Sequence, residues 1–573
     1  MATTGKRIRR ATATPSQPAS RKSNARKSTA HRNAATKPAR VRGTPIPLLG
    51  PRVEYRIYPS IGIARVGDSK DSFITGAEAP GNVPAGPYRG SDGGLRPQGV
   101  RFRIYQVEID GNENEVARAE IMATKTTKIA WTVTLANRKA AALRIEDTLA
   151  RSANPRPRNK GFDRQKLVIS AAATITGANK PRTPMTGSIE FAKPGKPSKR
   201  ASNIELASLI TDAQGRVVVI GGPGKSASPL NHSAPSFSDN DGWYDSVSDG
   251  PVTATLSIDG TTHAVVPAWV LVTVPRYAPG IYGIVTWYDQ AVSMARTNDD
   301  GTFSAPRTTS FTRDIYPILK RADELRWVHR PAHGTSPPAL SDAARMQALQ
   351  DPQVRARLVA RLTAQGSAAG DAEQLPPGTM PMLNSGANPD PSGPPWIYPS
   401  LSRYQHAHIR NWMLGNFDAD WPGQEPVPVP FSQIDIAMQP RALCEAALET
   451  CIGGSFYPGI EGTYDVVRAE TYHPQANLRR EFRLDPIHPA GFLTEKMALP
   501  WQADFADCGA FWWPSQRPVY VDTGGGQSDN WDRKINGVAR NGHLNMIEFW
   551  SKLGLIVRDP ATGVFVETDR QTF

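Results

Sequence analysis

The sequence predicts an α+β fold: a mainly β N-terminal part, a more helical C-terminal part, and a disordered basic tail ahead of both. Three observations predict it. Short runs of Val, Ile, Thr and aromatic residues, punctuated by Gly, Pro and Asn, fill residues 54 to about 308, as strands and their turns require. Helical spacing concentrates after about residue 310. The first 50 residues hold 12 Lys or Arg and no acid. At 573 residues the chain exceeds one ordinary domain. Its texture divides it into a tail (1–50), a mainly-β N-terminal domain (51–308) and a C-terminal domain (309–573), with no internal repeat.

The tail accounts for nearly all of the net charge of +14, because removing its 12 basic residues from 67 leaves 55 against 53 acids. Rich in Ser, Thr and Ala, it cannot bury enough apolar surface to offset its ordering entropy. Three uses stay open: a solubilising arm, an organelle transit peptide, or salt-sensitive contact with phosphate or acidic partners. No aromatic residue precedes Tyr55, which counts against base stacking and so against nucleic acid.

Within the β part, the expected strands include 101–109, 130–135, 216–220, 252–257 and 264–273. The run 221–226 (GGPGKS) imitates a phosphate-binding loop, but that loop needs Gly at 219, where Val219 stands; it reads as a tight turn. Beyond residue 310, helices are expected at 341–365 (broken near Pro352, with Ser341 as N-cap), 403–415, 441–450 and 543–553. The stretch 366–395 is a Pro/Gly-rich loop suited to a lid.

Composition excludes several classes. No run approaches the roughly 18 apolar residues of a membrane-spanning helix, and the polar start lacks the apolar stretch of a secretory signal. Cys444, Cys451 and Cys508 form no C-x-x-C pair, so neither a disulfide framework nor a thiolate zinc site is indicated. His329 and His333 are separated by Pro331, and His406 and His408 have no acid at ligand spacing; no metal is expected.

One constellation remains. Five of the 13 Trp (Trp501, Trp512, Trp513, Trp531 and Trp550) surround Asp504, Asp507 and Cys508 near the C-terminus. An aromatic core around an inert buried Cys is one reading. The other is chemical: an indole beside a thiol can be oxidised and cross-linked. Asp504 precedes Cys508 by four residues, so on a helix both would share a face, with the carboxylate placed to accept protons.

The chain resembles the L-lysine 6-oxidase/glycine oxidase family of quinoproteins, which carry cysteine tryptophylquinone. The resemblance spans residues 54 to 570, through segments such as 54–69 (EYRIYPSIGIARVGDS), 215–227 (GRVVVIGGPGKSA), 240–251 (NDGWYDSVSDGP), 267–281 (PAWVLVTVPRYAPGI), 451–461 (CIGGSFYPGIE), 500–518 and 546–557. It implies that Cys508 donates the thioether and that Asp504 helps build the quinone and accepts protons in catalysis. It implies Trp550 as the cross-linked indole, with Trp531 as rival, and the C-terminal domain as its bearer. Trp512 and Trp513 would form pocket wall, and Cys451 either lines the substrate entrance or is structural.

The activity so implied is oxidative deamination of an amino acid's primary amine (a lysine ε-amine, or an α-amine such as glycine's) with O2, giving aldehyde or keto acid, ammonia and hydrogen peroxide. A flavoprotein maturation partner and a homo-oligomer follow from the same resemblance. The alternative is a family member without mature cofactor that serves as a structural or binding protein. Location stays open between cytoplasm, an organelle and export without a classical signal.

Overall fold

The computed structural model describes residues 51–111, 114–145, 147, 152–298, 300–328, 350–355, 401–453, 462–507, 515–524, 527–533, 535 and 542–572. The tail, nearly all of the expected 341–365 helix, the 366–395 loop, Cys508, Trp512 and Trp513 lie outside these residues, as do His329 and His333.

A large sheet organises the chain. Its main strands are β1 (Arg52–Tyr58), β2 (Ile61–Arg65), β3 (Gln98–Ile109), β4 (Thr127–Asn137), β5 (Ile169–Thr176), β6 (Thr183–Phe191), β7 (Lys199–Thr211), β8 (Val217–Gly221), β9 (Ser248–Ile258) and β10 (Ala268–Thr273). The order across the sheet is β5-β4-β9-β10-β2-β3-β8-β7-β6, and β1 pairs antiparallel with β3 through Tyr55 and Gln106. Centrally, β10 runs parallel to β2, with Trp269 opposite Ile61. Every residue of β10 is buried, which matches its apolar run AWVLV ahead of Thr273, since a strand covered on both faces needs no polar alternation. The expected strand 264–273 is split: Val265–Val266 pairs with β1, and β10 begins after Pro267. Proline cannot donate to the ladder there.

The longer helices are α1 (Trp287–Ala295), α2 (Tyr316–Glu324), α3 (Arg403–Leu414), α4 (Gln439–Leu448), α5 (Trp501–Asp507) and α6 (Gly542–Phe549). The fold is therefore β-led with helices gathered towards the C-terminus, as expected. Helix α3 has a Ser402/Gln405 capping box and ends on left-handed Gly415, the start and stop that its sequence carries. Helix α1 lies earlier than the expected helical region, and its Thr286/Asp289 capping box was the available signal. Two C-terminal hairpins, Tyr520–Gly524 with Gln527–Asn530 and Leu555–Arg558 with Phe565–Thr568, were not anticipated.

Side chains from the C-terminal half complete the sheet's packing. Buried Arg56 on β1 pairs with Glu481 at 2.8 Å and with Glu115 at 2.7 Å. One apolar cluster joins Trp131, Val219 and Val270 to Trp501, Phe505, Trp531 and Trp550. A second gathers Tyr58, Trp269, Trp287, Cys444 and Cys451. Among the described residues no helix is long and apolar enough to cross a membrane.

Candidate active site

Helix α5 starts from a buried polar anchor. The Trp501 backbone N–H donates to Asp245 Oδ2 at 3.1 Å, and the same oxygen accepts from Lys139 Nζ at 2.8 Å. Lys139 also donates to the Ala498 carbonyl at 3.0 Å, while Asn137 Nδ2 donates to Asp245 Oδ1 at 2.7 Å. Both partners of the ion pair are fully buried. Burial pushes the Lys139 ammonium down, and the Asp245 and Asp504 charges oppose that. A buried pair of this kind persists only because further hydrogen bonds satisfy both ions.

From that anchor α5 projects Trp501, Asp504 and Phe505 into the interior, Asp504 at 1% exposure. Trp501 meets Phe505 edge-on at 5.1 Å and Trp550 edge-on at 5.2 Å between ring centroids. Trp550 follows α6 directly and opens a 3-10 turn, Trp550–Lys552, rather than sitting inside the expected 543–553 helix. The turn tightens because Leu553 is already extended and the chain enters a strand at Leu555. The Tyr277 hydroxyl donates to the Trp550 carbonyl.

Helices α5 and α6 pack on one another. Across them His543 Nε2 lies 2.8 Å from Asp507 Oδ1, and His543 Nδ1 lies 2.6 Å from the Ala234 carbonyl oxygen. The Asp507 carboxylate raises the His543 imidazole above its usual value, with burial opposing and Asp504 adding a smaller favourable charge. Asp504 thus acts electrostatically on two cations, Lys139 and His543.

Trp531, the rival indole, occupies a different niche. Its Nε1 donates to the Gly554 carbonyl at 2.7 Å. Its ring lies 4.7 Å from Tyr277 and 5.4 Å from the Arg517 guanidinium. Arg517 is itself paired with Asp532 at 2.6 Å. Cys451 lies in the second apolar cluster, 1% exposed, where its carbonyl accepts from Trp287 N at 3.0 Å and Arg65 Nη2 approaches its sulfur at 3.6 Å. A small pocket of about 30 Å3 is lined by Arg65, Tyr88, Arg276 and by Thr450, the residue before Cys451. His408 is buried with Nδ1 3.0 Å from Thr309 Oγ1, while its Nε2 has no hydrogen-bond partner among the described residues.

A family model described as "L-Lysine epsilon oxidase N-terminal" matches residues 58–272, and one described as "L-lysine epsilon oxidase C-terminal domain" matches residues 382–523. The chain belongs to the L-lysine ε-oxidase family. Among its relatives, the L-lysine 6-oxidase of Marinomonas mediterranea (strain ATCC 700492 / JCM 21426 / NBRC 103028 / MMB-1) is 26% identical over 539 residues, covering 79% of this chain and 70% of that protein. The crystal structure of the Schiff base intermediate of the Marinomonas mediterranea L-Lys ε-oxidase with L-Lys superimposes with a TM-score of 0.66 at 22% identity, covering 90% of this chain and 95% of that one. Another crystal structure of that oxidase gives 0.64 at 22% identity, over 90% and 94%. These likenesses establish the fold.

The quinone that the family resemblance implies is built from the chain's own residues, so its fit is read from them. Trp501 Nε1 is buried and has no acceptor among the described residues, and its ring centroid lies 5.2 Å from that of Trp550. A donor left open next to an indole suits a ring that gains oxygen acceptors. Asp504 is buried one turn beyond Trp501, and residue 508 follows the last residue of α5. Sequence reasoning singled out Asp504, Asp507 and Trp550, which the structure places on α5 and directly after α6. It missed Lys139 and Asp245, which stand 106 positions apart and carry no local signal. It also missed His543 and Gln502.

Proposed function

We propose that this chain is a quinone-dependent amino-acid oxidase with Trp550 as the modified indole and Cys508 as its thioether donor. The observation that carries the reading is the packing of α5, which bears Asp504 and leads into Cys508, against α6, which ends just before Trp550, with the Trp501 and Trp550 rings 5.2 Å apart. Trp531 is disfavoured because its indole N–H already donates to Gly554 and its ring packs on Tyr277 and Arg517.

The reaction consumes one primary amine, one O2 and one water, and gives one aldehyde or keto acid, one ammonia and one hydrogen peroxide. When formed, cysteine tryptophylquinone supplies an electrophilic carbonyl and a sink for two electrons. Asp504 takes the proton from the substrate carbon that bears nitrogen. The Lys139–Asp245 pair fixes the start of α5 and so the position of that carboxylate. Trp512, Trp513 and Cys451 are carried as pocket residues, a flavoprotein as maturation partner, and the oligomer as homomeric. The substrate class is an amino acid with an accessible primary amine, either lysine's ε-amine or an α-amine such as glycine's.

Intact mass and peptide mapping of the mature protein test this. The expected result is a Cys508–Trp550 cross-linked peptide with added oxygen, lost together with peroxide release in Cys508→Ala and Asp504→Ala. Unmodified peptides in an active protein would defeat the proposal. Unmodified peptides in an inactive one would favour the structural or binding alternative.

A further inference from the structure

The loop 221–226 lacks the spacing of a phosphate site, and the structure gives it another role. It is not a hydrogen-bonded turn but an irregular connection between β8 and the short strand Ser226–Ala227. It presses on Trp550. A Cβ placed on Gly224 would fall 2.6 Å from Trp550 Cζ2, 2.8 Å from Cη2 and 3.1 Å from Val66 Cγ2. Real Cβ atoms do not approach that closely, so the indole or the loop would have to move. Gly224 also has a φ of 69°, where a side chain is strained. Some left-handed glycines, such as Gly161 and Gly260, have nothing within 4 Å of the same position, while Gly215, Gly242 and Gly491 also meet neighbours below 3 Å. The bareness of Gly224 therefore serves the ring as well as the backbone.

The loop is held, not loose. Gln502 Nε2 on α5 donates to the Gly224 carbonyl at 3.0 Å, and Ser226 Oγ donates to Gln502 Oε1 at 2.6 Å. On the other side Gly222 N donates to Leu206 O at 3.2 Å, and Gly67 N to Gly222 O at 3.0 Å. Sheet, loop and α5 thus form one frame, with the benzo carbons of Trp550 seated against it. Closely packed surroundings give way only partly to an added methyl.

We propose that Gly224, held by Gln502 and Ser226, is the seat of the Trp550 indole and a positioning residue for its conversion to the quinone. This rests on Trp550 being the modified residue. A methyl at 224 displaces the ring from the α5 groups that modify it, so the chain folds but its indole stays unconverted.

The test uses the full chain, produced with its maturation partner, as wild type, Gly224→Ala, Trp550→Phe, the double variant, and Gly260→Ala as control for strain at positive φ. Gly224→Ala should lose at least nine-tenths of the cross-linked, oxygenated peptide by mass and lose more thermal stability than Gly260→Ala. In the Trp550→Phe background, which lacks the Cζ2–Cη2 edge, that excess loss should vanish. Wild-type modification in Gly224→Ala, or an equal loss in both backgrounds, overturns the proposal. Should Gly224→Ala fail to accumulate, recovery of the double variant supports the seat and its failure overturns it. An unmodified wild type sinks the oxidase reading itself, while the stability comparison still judges the contact.

Discussion

His543 and Asp507 tie the helix that leads to Trp550 to the helix that carries Asp504, with His543 Nε2 2.8 Å from Asp507 Oδ1. The other ring nitrogen faces the Ala234 carbonyl. A neutral imidazole has one donor, so an acceptor at each nitrogen selects the imidazolium.

The folded-state value of His543 is raised, so its stabilisation is complete below the unfolded imidazole's ordinary range. It is lost as pH climbs through the folded value. His543→Gln should cost about 1 kcal/mol or less, since half-exposed Asp507 leaves the pair solvent-screened. That cost should be largest at pH 5–6 and fade by pH 9. Urea unfolding across that range reads it, and a cost that grows with pH would contradict the imidazolium.

Lys139 and Asp245 should behave differently, because both are wholly buried. Lys139→Ala leaves an uncompensated carboxylate and should cost about 3–5 kcal/mol. The variant should also lose quinone absorbance under conditions where it remains folded, because Asp245 holds the first N–H of α5. Normal absorbance in a destabilised Lys139→Ala chain would confine the pair to a stability role.

How legible this was depends on distance along the chain. Strands such as β3 and β4 and the capped helix α3 could be read because each carries its own periodicity and boundary residues. Asp504 was singled out because it stands four residues before Cys508. Gly224 was visible only as part of a failed phosphate loop, since the feature that makes it matter, the Trp550 ring, is 326 residues away. The same holds for Arg56 with Glu481, 425 positions apart: charge pairs across a fold leave no pattern in either local sequence.

Glu449 offers a second pH probe. Burial, and next the neighbouring Glu445, push its carboxyl up to about 8, against the opposing pull of Arg321 and the Gly81 N–H. The folded chain thus favours the protonated acid, and stability should fall as pH rises from about 4.5 to 8. Glu449→Gln keeps an oxygen for the Gly81 N–H, 2.7 Å away in the wild type, and has no charge to desolvate. It should match the wild type near pH 5 and exceed it in melting temperature at pH 8.5. Equal melting temperatures at both pH values would remove Glu449 as a source of alkaline sensitivity.

The two indoles can be told apart by conservative replacement. Trp531→Phe removes the N–H bond to Gly554 and part of a packed ring while leaving the α5–α6 contact in place. Its cost should be about 1–2 kcal/mol, with cross-link and oxidase turnover retained. Trp550→Phe keeps an aromatic ring against Trp501 but offers no indole for oxygenation, so it should remain folded with no quinone absorbance and no peroxide release. Peptide mapping decides between them: a cross-link to Cys508 that survives in Trp550→Phe and disappears in Trp531→Phe would transfer the cofactor to Trp531. It would also detach Gly224 from the chemistry, since the ring seated against that glycine would then be an ordinary core residue.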